Sequence, residues 1–306
     1  MKNVRLLLTV VLLATATTAQ MPSGQAAADP NDPVQQARKM NQEGKYDEAV
    51  ALLNKEIAAN PKNYDAHLTL GVTLDLEGRY AEGRKHIQHA IDLAKPEQKA
   101  QAQRTMAMSW AFERKPGEAA KYHEPIFNER MTKNDYTGAA EIANELGRLY
   151  LEAGEIDNAY IWYKRGYDTA IRQKDLTPEQ LALWQFRWEH AQARIAARRN
   201  QKEEAQKHVA AAKAALDKTG DKDQQIFYPY LTGYVAYYLG EYKTAVADFQ
   251  QASQRDPFIL AMLAQAYEKT GEKQKAEELY KKILTINAHN PTGAYARPLA
   301  RQKLGM

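Results

Sequence analysis

The chain has 306 residues, a formal net charge of +4 and no cysteine. The length allows two ordinary domains or one elongated array. The absence of Cys excludes disulfides, thiolate catalysis and a lipidated cysteine, and so weak a basic balance makes no case for nucleic-acid or membrane-surface binding. Ala, Gln, Lys, Glu and Tyr are abundant, which favours helix over sheet.

Lys2 and Arg5 precede an apolar run from Leu6 to Ala14, and small residues follow through Ala19. That is the layout of a secretory signal peptide over residues 1–19. Cleavage after Ala19 fits best, with Ala16 and Ala28 as alternatives. The competing reading is an uncleaved anchor, but the run is short for a membrane span. Removal takes Lys2 and Arg5 away and lowers the net charge from +4 to +2. The expectation is an exported protein, periplasmic or secreted, with no integral membrane segment once the signal is gone. Residues 20–32 read as a flexible leader.

From residue 33 onward the apolar residues recur at three- and four-residue steps, as the buried face of a helix requires. A first unit, Asp32 to Lys62, carries Ala37, Gly44, Tyr46, Ala49 and Leu53, with Glu56 where a small residue is expected. A second, Asn63 to Pro96, carries Leu70, Gly71, Leu74, Gly78, Tyr80, Gly83, Ile87 and Ala90; Ala37 to Gly71 is 34 residues. The third, Gln98 to Thr132, keeps Ala107, Trp110 and Ala119. There Lys115-Pro116-Gly117 replaces the usual turn, and Pro125 should kink the second helix. The fourth, Asp135 to Lys174, has Leu146, Gly147, Tyr150, Gly154, Ala159 and Tyr163. The fifth, Thr177 to Lys218, opens on a cap and a first-turn proline, and Asn200 stands in for the turn glycine.

The last two units, from Phe227 to Asn290, show the pattern most clearly. Each has a small residue in a first helix (Gly233, Ala264), a turn glycine seven residues on (Gly240, Gly271), a small residue five further (Ala245, Ala276) and an aromatic four beyond (Phe249, Tyr280). Gly233 and Ala245 fall where two helices must approach most closely. The intervals between small positions widen in the middle, from Gly71 to Ala107, Gly147, Ala193 and Gly233, to 36, 40, 46 and 40 residues. Longer second helices or loops should absorb the excess. The tail, residues 291–306, reads as a helix capping the exposed end of the stack, limited or kinked at Pro298.

Gly233, Gly240, Tyr242, Ala245, Phe249, Ala252 and Pro257 together resemble the tetratricopeptide repeat, whose period is about 34 residues. The resemblance implies an all-α, right-handed superhelical solenoid of about seven repeats over residues 33–290, closed by a C-terminal capping helix. It also implies a non-enzymatic scaffold whose first helices line a concave, peptide-receiving groove.

With the repeat register carried over, the groove positions become Arg104 and Met108, Asn144 and Arg148, then Arg187, His190, Arg194 and Arg198, then Tyr230, Tyr234 and Tyr237. A basic strip beside an aromatic one suits a protein or peptide segment with acidic residues or a free carboxylate. The bland alternative is that these Tyr pack between repeats and these Arg solvate a surface. The family's carboxylate clamp uses Lys and Asn; only Asn144 with Arg148 is similar to it.

No catalytic, cofactor or metal motif emerges. There is no G-x-S-x-G, P-loop or G-x-G-x-x-G. His86 and His89 form H-x-x-H without a supporting carboxylate and read as solvated surface residues. The expected function is an interaction scaffold of the cell envelope that holds a partner segment in the concave groove. The alternative is an accessory subunit of an envelope assembly, docking through the convex face or the tail.

Overall fold

Seven antiparallel helix pairs follow one another along the chain in the computed structural model, which describes residues 31–306. The expected signal peptide and nearly all of the leader lie outside the described residues. Helix α1 (Pro33–Gln42) pairs with α2 (Tyr46–Ala59), and α3 (Tyr64–Glu77) with α4 (Tyr80–Leu93). Next come α5 (Pro96–Phe112) with α6 (Pro116–Thr132), α7 (Tyr136–Ala153) with α8 (Ile156–Ala170), and α9 (Pro178–Arg198) with α10 (Lys202–Thr219). A 3-10 turn at Lys222–Ile226 leads into α11 (Phe227–Tyr238) and α12 (Tyr242–Gln251). Helices α13 (Pro257–Thr270), α14 (Lys273–Leu284) and α15 (Pro291–Leu304) complete the fold, and the described residues contain no strand.

Most first helices start on a side-chain cap. Asp32, Asn63, Asp135, Thr177 and Asp256 accept from backbone amides at the starts of α1, α3, α7, α9 and α13. Second helices start differently, because the chain reverses within a few residues. There the backbone closes the preceding helix through six-to-one bonds, such as Arg79 N–H to Leu74 C=O at 2.8 Å and Glu241 N–H to Ala236 C=O at 2.8 Å. The turn needs a left-handed residue: Gly78 supplies it at φ 87°, and Asn200 does so at φ 55°, as its position predicts. In the third repeat Arg114 takes this conformation at φ 57°, while Pro116 begins α6. The sequence Lys115-Pro116-Gly117 is thus not the turn itself.

Small residues sit where the helices of a pair touch. A Cβ added at Gly233 would meet the Phe249 ring at 2.9 Å, and one at Gly147 the Tyr163 ring at 3.0 Å. The prolines expected to kink or limit their helices, Pro125 in α6 and Pro298 in α15, both lie within helices that continue past them. Proline removes one donor and crowds one turn; packing on either side holds both helices together. The extra residues of the middle repeats go into first helices as well as second: α7 has 18 residues, α9 has 21 and α10 has 18.

Helix α15 covers the last repeat, packing on α13 and α14, and then reaches across to α5 and α7. Its N-cap, Asn290, accepts from the amides of Thr292 and Gly293. The tail therefore does more than cap an end: it joins the two halves of the array across the concave face.

Candidate functional site

The first helices α5, α7, α9 and α11 bring the predicted groove residues to one side of the array, and most of them are buried there. Tyr230 and Tyr234 are fully buried, His190, Arg194 and Arg187 nearly so, and Asn144 and Arg148 are each 9 % exposed. Arg198 and Tyr237 are half-buried. Arg104 keeps 41 % of its side chain exposed while pairing with Glu145. Met108 is buried in the core around α5 to α7.

The basic and aromatic strips bond one another. Arg194 donates to the Tyr163 hydroxyl at 2.8 Å and the Tyr230 hydroxyl at 3.3 Å, and lies 3.5 Å from a Glu152 oxygen. Arg198 donates to the Tyr238 hydroxyl at 2.8 Å and to that of Tyr234 at 3.4 Å. Tyr234 in turn donates to Glu152 at 3.4 Å. One carboxylate on α7 thus gathers two arginines of α9 and a tyrosine of α11. Arg148 lies over the Phe258 ring at 4.7 Å, so that α7 also meets α13. Its Nε and Nη2 make no hydrogen bond within the described residues.

The electrostatics are those of an interior. Burial holds the His190 imidazole well below its usual pKa, with Arg194 and Arg148 adding to the effect. Burial also pushes the Tyr230 hydroxyl up to about 12 and draws Arg187 down to about 10, with Glu141 opposing. Glu145 is the exception. Burial raises its carboxyl, but Arg104 and His123 outweigh this and hold it at about 2.

The remaining space on the concave side is taken by α15 and the segment before it. Arg297, 3 % exposed, donates to the carbonyls of Leu76 and Leu284 at 2.6 and 2.9 Å and to the Tyr46 hydroxyl at 2.9 Å. His289 Nε2 lies 2.9 Å from the buried Asp75 carboxylate. Asn287 bonds the Tyr46 hydroxyl and the Asn41 carbonyl. Tyr295 packs on Phe258, with the Arg114 guanidinium 4.1 Å from its ring centre. The expected open groove is therefore filled by the chain's own last helix. Most of the predicted groove residues are buried among neighbouring helices, while Arg104, Arg198 and Tyr237 keep part of their surface exposed.

Sequence reasoning missed Glu152, Arg297 and His289 as organising residues. Glu152 had a signal, since it follows Arg148 by four residues and so shares its helix face. Arg297 and His289 had none, because Leu76 and Asp75, which they bond, lie more than 200 positions away. His86 and His89 are not simply solvated. Both rings approach His67, with centroids 5.5 and 5.2 Å away. Even so, no group of three His, Cys, Asp or Glu among the described residues is placed to hold a metal. Among the described residues no helix is long and apolar enough to cross a membrane.

Stacked helix pairs with small residues at each crossing define an α-solenoid of the protein-interaction class. Residues 40–108 and 230–291 match family models of the tetratricopeptide repeat, and the chain is a tetratricopeptide repeat protein. A tetratricopeptide repeat protein from Parabacteroides merdae shares its fold at 14 % identity and a TM-score of 0.53, with 90 % of this chain and 96 % of that one covered. PilW, a widely conserved type IV pilus biogenesis factor, aligns at 16 % identity and a TM-score of 0.46, over 74 % of this chain and 93 % of its own. No curated protein sequence matches.

Proposed function

We propose that the protein is a non-enzymatic scaffold of the cell envelope that binds other proteins through the outer surface of its repeat array. The repeat fold supports protein partners, and the apparent signal peptide supports the location. One observation favours the outer surface over the groove: α15 and the Arg–Tyr–Glu152 network occupy the concave side. A partner in the groove requires that buried network to open, whereas a partner on the second helices requires nothing to move. The acidic or carboxylate-bearing segment expected for an Arg-lined groove belongs to the other reading, in which α15 leaves.

The test places a photo-crosslinking residue at Lys55 or Thr244, both exposed on second helices, or at Arg104 on the concave side. Crosslinks in intact cells are then mapped. Adducts from the outer positions are expected. Adducts from Arg104 alone would return the partner to the groove, and recovery of the protein in the cytosolic fraction would remove the envelope assignment.

A further inference from the structure

The repeats do not all meet equally well. Helices α10 and α11 touch far less than the corresponding helices at the other repeat junctions do. The cause is a mismatch in length: α9 and α10 have 21 and 18 residues, while α11 and α12 have 12 and 10. The long hairpin packs its first helix on α11, but the shorter pair cannot cover the face of α10.

Two cations cross the seam at its surface. Lys202 pairs with Glu241 at 2.8 Å, and Lys213 sits 5.8 Å from the Tyr228 ring centre. Between these contacts lies an open groove of about 260 Å³. It is lined by Val209 and Ala210 of α10, by Tyr228, Val235 and the C-cap Leu239 of α11, and by Asp248 of α12. Val209, Tyr228 and Leu239 are partly buried against the C-terminal core.

We propose that this seam is a docking site for a polypeptide segment that inserts a large apolar side chain between α10 and α11 and sets a lysine or arginine against Asp248. The proposal rests on the protein-interaction reading and names a place and a partner chemistry for it. Size suits an anchoring side chain, since the groove of about 260 Å³ is open to solvent, whereas small-molecule sites bury most of their ligand. Charge argues for a basic neighbour. Glu241 is already matched by Lys202, whereas Asp248 meets Thr232 and no cation among the described residues. Burial pushes the Asp248 carboxyl above its usual range, and the Thr232 hydroxyl lowers it only in part; an incoming cation relieves that cost.

The chain expressed from residue 20 is titrated with a fluorescent amphipathic peptide of about twelve residues that carries one Phe and, four positions on, Lys (about one helical turn apart). A twin peptide carries Glu in place of Lys. Saturable binding of the Lys peptide is expected. Ala210→Trp, which fills the groove from an exposed position, should weaken it at least tenfold, and Asp248→Asn about fivefold. The Glu twin should bind poorly to the parent chain and no worse to Asp248→Asn. Equal binding of the two peptides, or binding indifferent to Ala210→Trp, overturns the site, as does a failure of either peptide to bind. Self-association that Ala210→Trp abolishes would assign the groove to a second copy and likewise overturn the proposal. The wider reading is separable: crosslinks in cells from Lys55 but none from Gln206 beside the groove would leave the scaffold standing and remove the seam.

Discussion

The Arg297 guanidinium donates to the Leu76 carbonyl at 2.6 Å, across 221 positions of sequence. This bond and the one to the Tyr46 hydroxyl fasten the last helix to the second and first repeats, while the bond to the Leu284 carbonyl holds it to the seventh. A solenoid whose repeats contact only their neighbours has roughly additive stability. A bond between its ends makes the first and last repeats unfold together.

Replacing Arg297 by Met should therefore lower stability by about 2–4 kcal/mol, because the buried carbonyls of Leu76 and Leu284 lose their donor. Hydrogen exchange should rise at both ends, in α3 and α13 as well as α15. Faster exchange restricted to α15 would show that the ends are not coupled.

Close helix approach at Gly233 and Gly147 gives a second expectation. The nearest ring atoms would lie 2.9 and 3.0 Å from a new Cβ, so leucine at either position overpacks the pair. Each substitution should cost about 1–3 kcal/mol, read as a lower urea midpoint. Unchanged midpoints for both would contradict the pairing of α11 with α12 and α7 with α8.

Glu152 is shared by Arg194 and Arg198, and its side chain is 6 % exposed. Glu152→Gln leaves two largely buried guanidinium groups without their carboxylate and should cost about 3–5 kcal/mol. Glu152→Gln with Arg194→Met should be less damaging than the sum of the single changes, since the second removes one of the stranded charges. Strict additivity in a double-mutant cycle would mean that the pair does not act as a unit.

His190 predicts a pH dependence. Its folded pKa is depressed, by burial first and then by Arg194 and Arg148. Below pH about 6.5 the unfolded imidazole takes up a proton that the folded one refuses. Its contribution is complete above that pH and is lost as pH falls toward the folded value, by about 1.4 kcal/mol per unit. Phe186 and Tyr230 flank the ring. Asp256 on α13, raised by burial to about 6, titrates with the opposite sign but is common to both proteins. Denaturation of the parent and of His190→Phe from pH 7 to pH 5 should show the parent losing more stability. Parallel curves would place a proton on the folded imidazole.

The repeats themselves were readable because their causes are local. The spacing of Gly233, Gly240, Ala245 and Phe249 reflects one helix crossing and one turn, and Asn200 at a glycine position lies in the left-handed conformation that position calls for. The groove was less readable. Register places Arg194, Arg198, Tyr230 and Tyr234 correctly on first helices, but register is blind to what lies opposite.

What the sequence by itself determined is the unit: the period, the helix pairs, the caps and the small residues at each crossing, all set by contacts within about 40 positions. Whether the first-helix face would stand open was decided only in three dimensions. Arg297, His289 and Asn287 meet Leu76, Asp75 and Asn41 only after seven hairpins have curved far enough to bring the ends together. That curvature accumulates from every repeat interface, and no local pattern of residues encodes the sum.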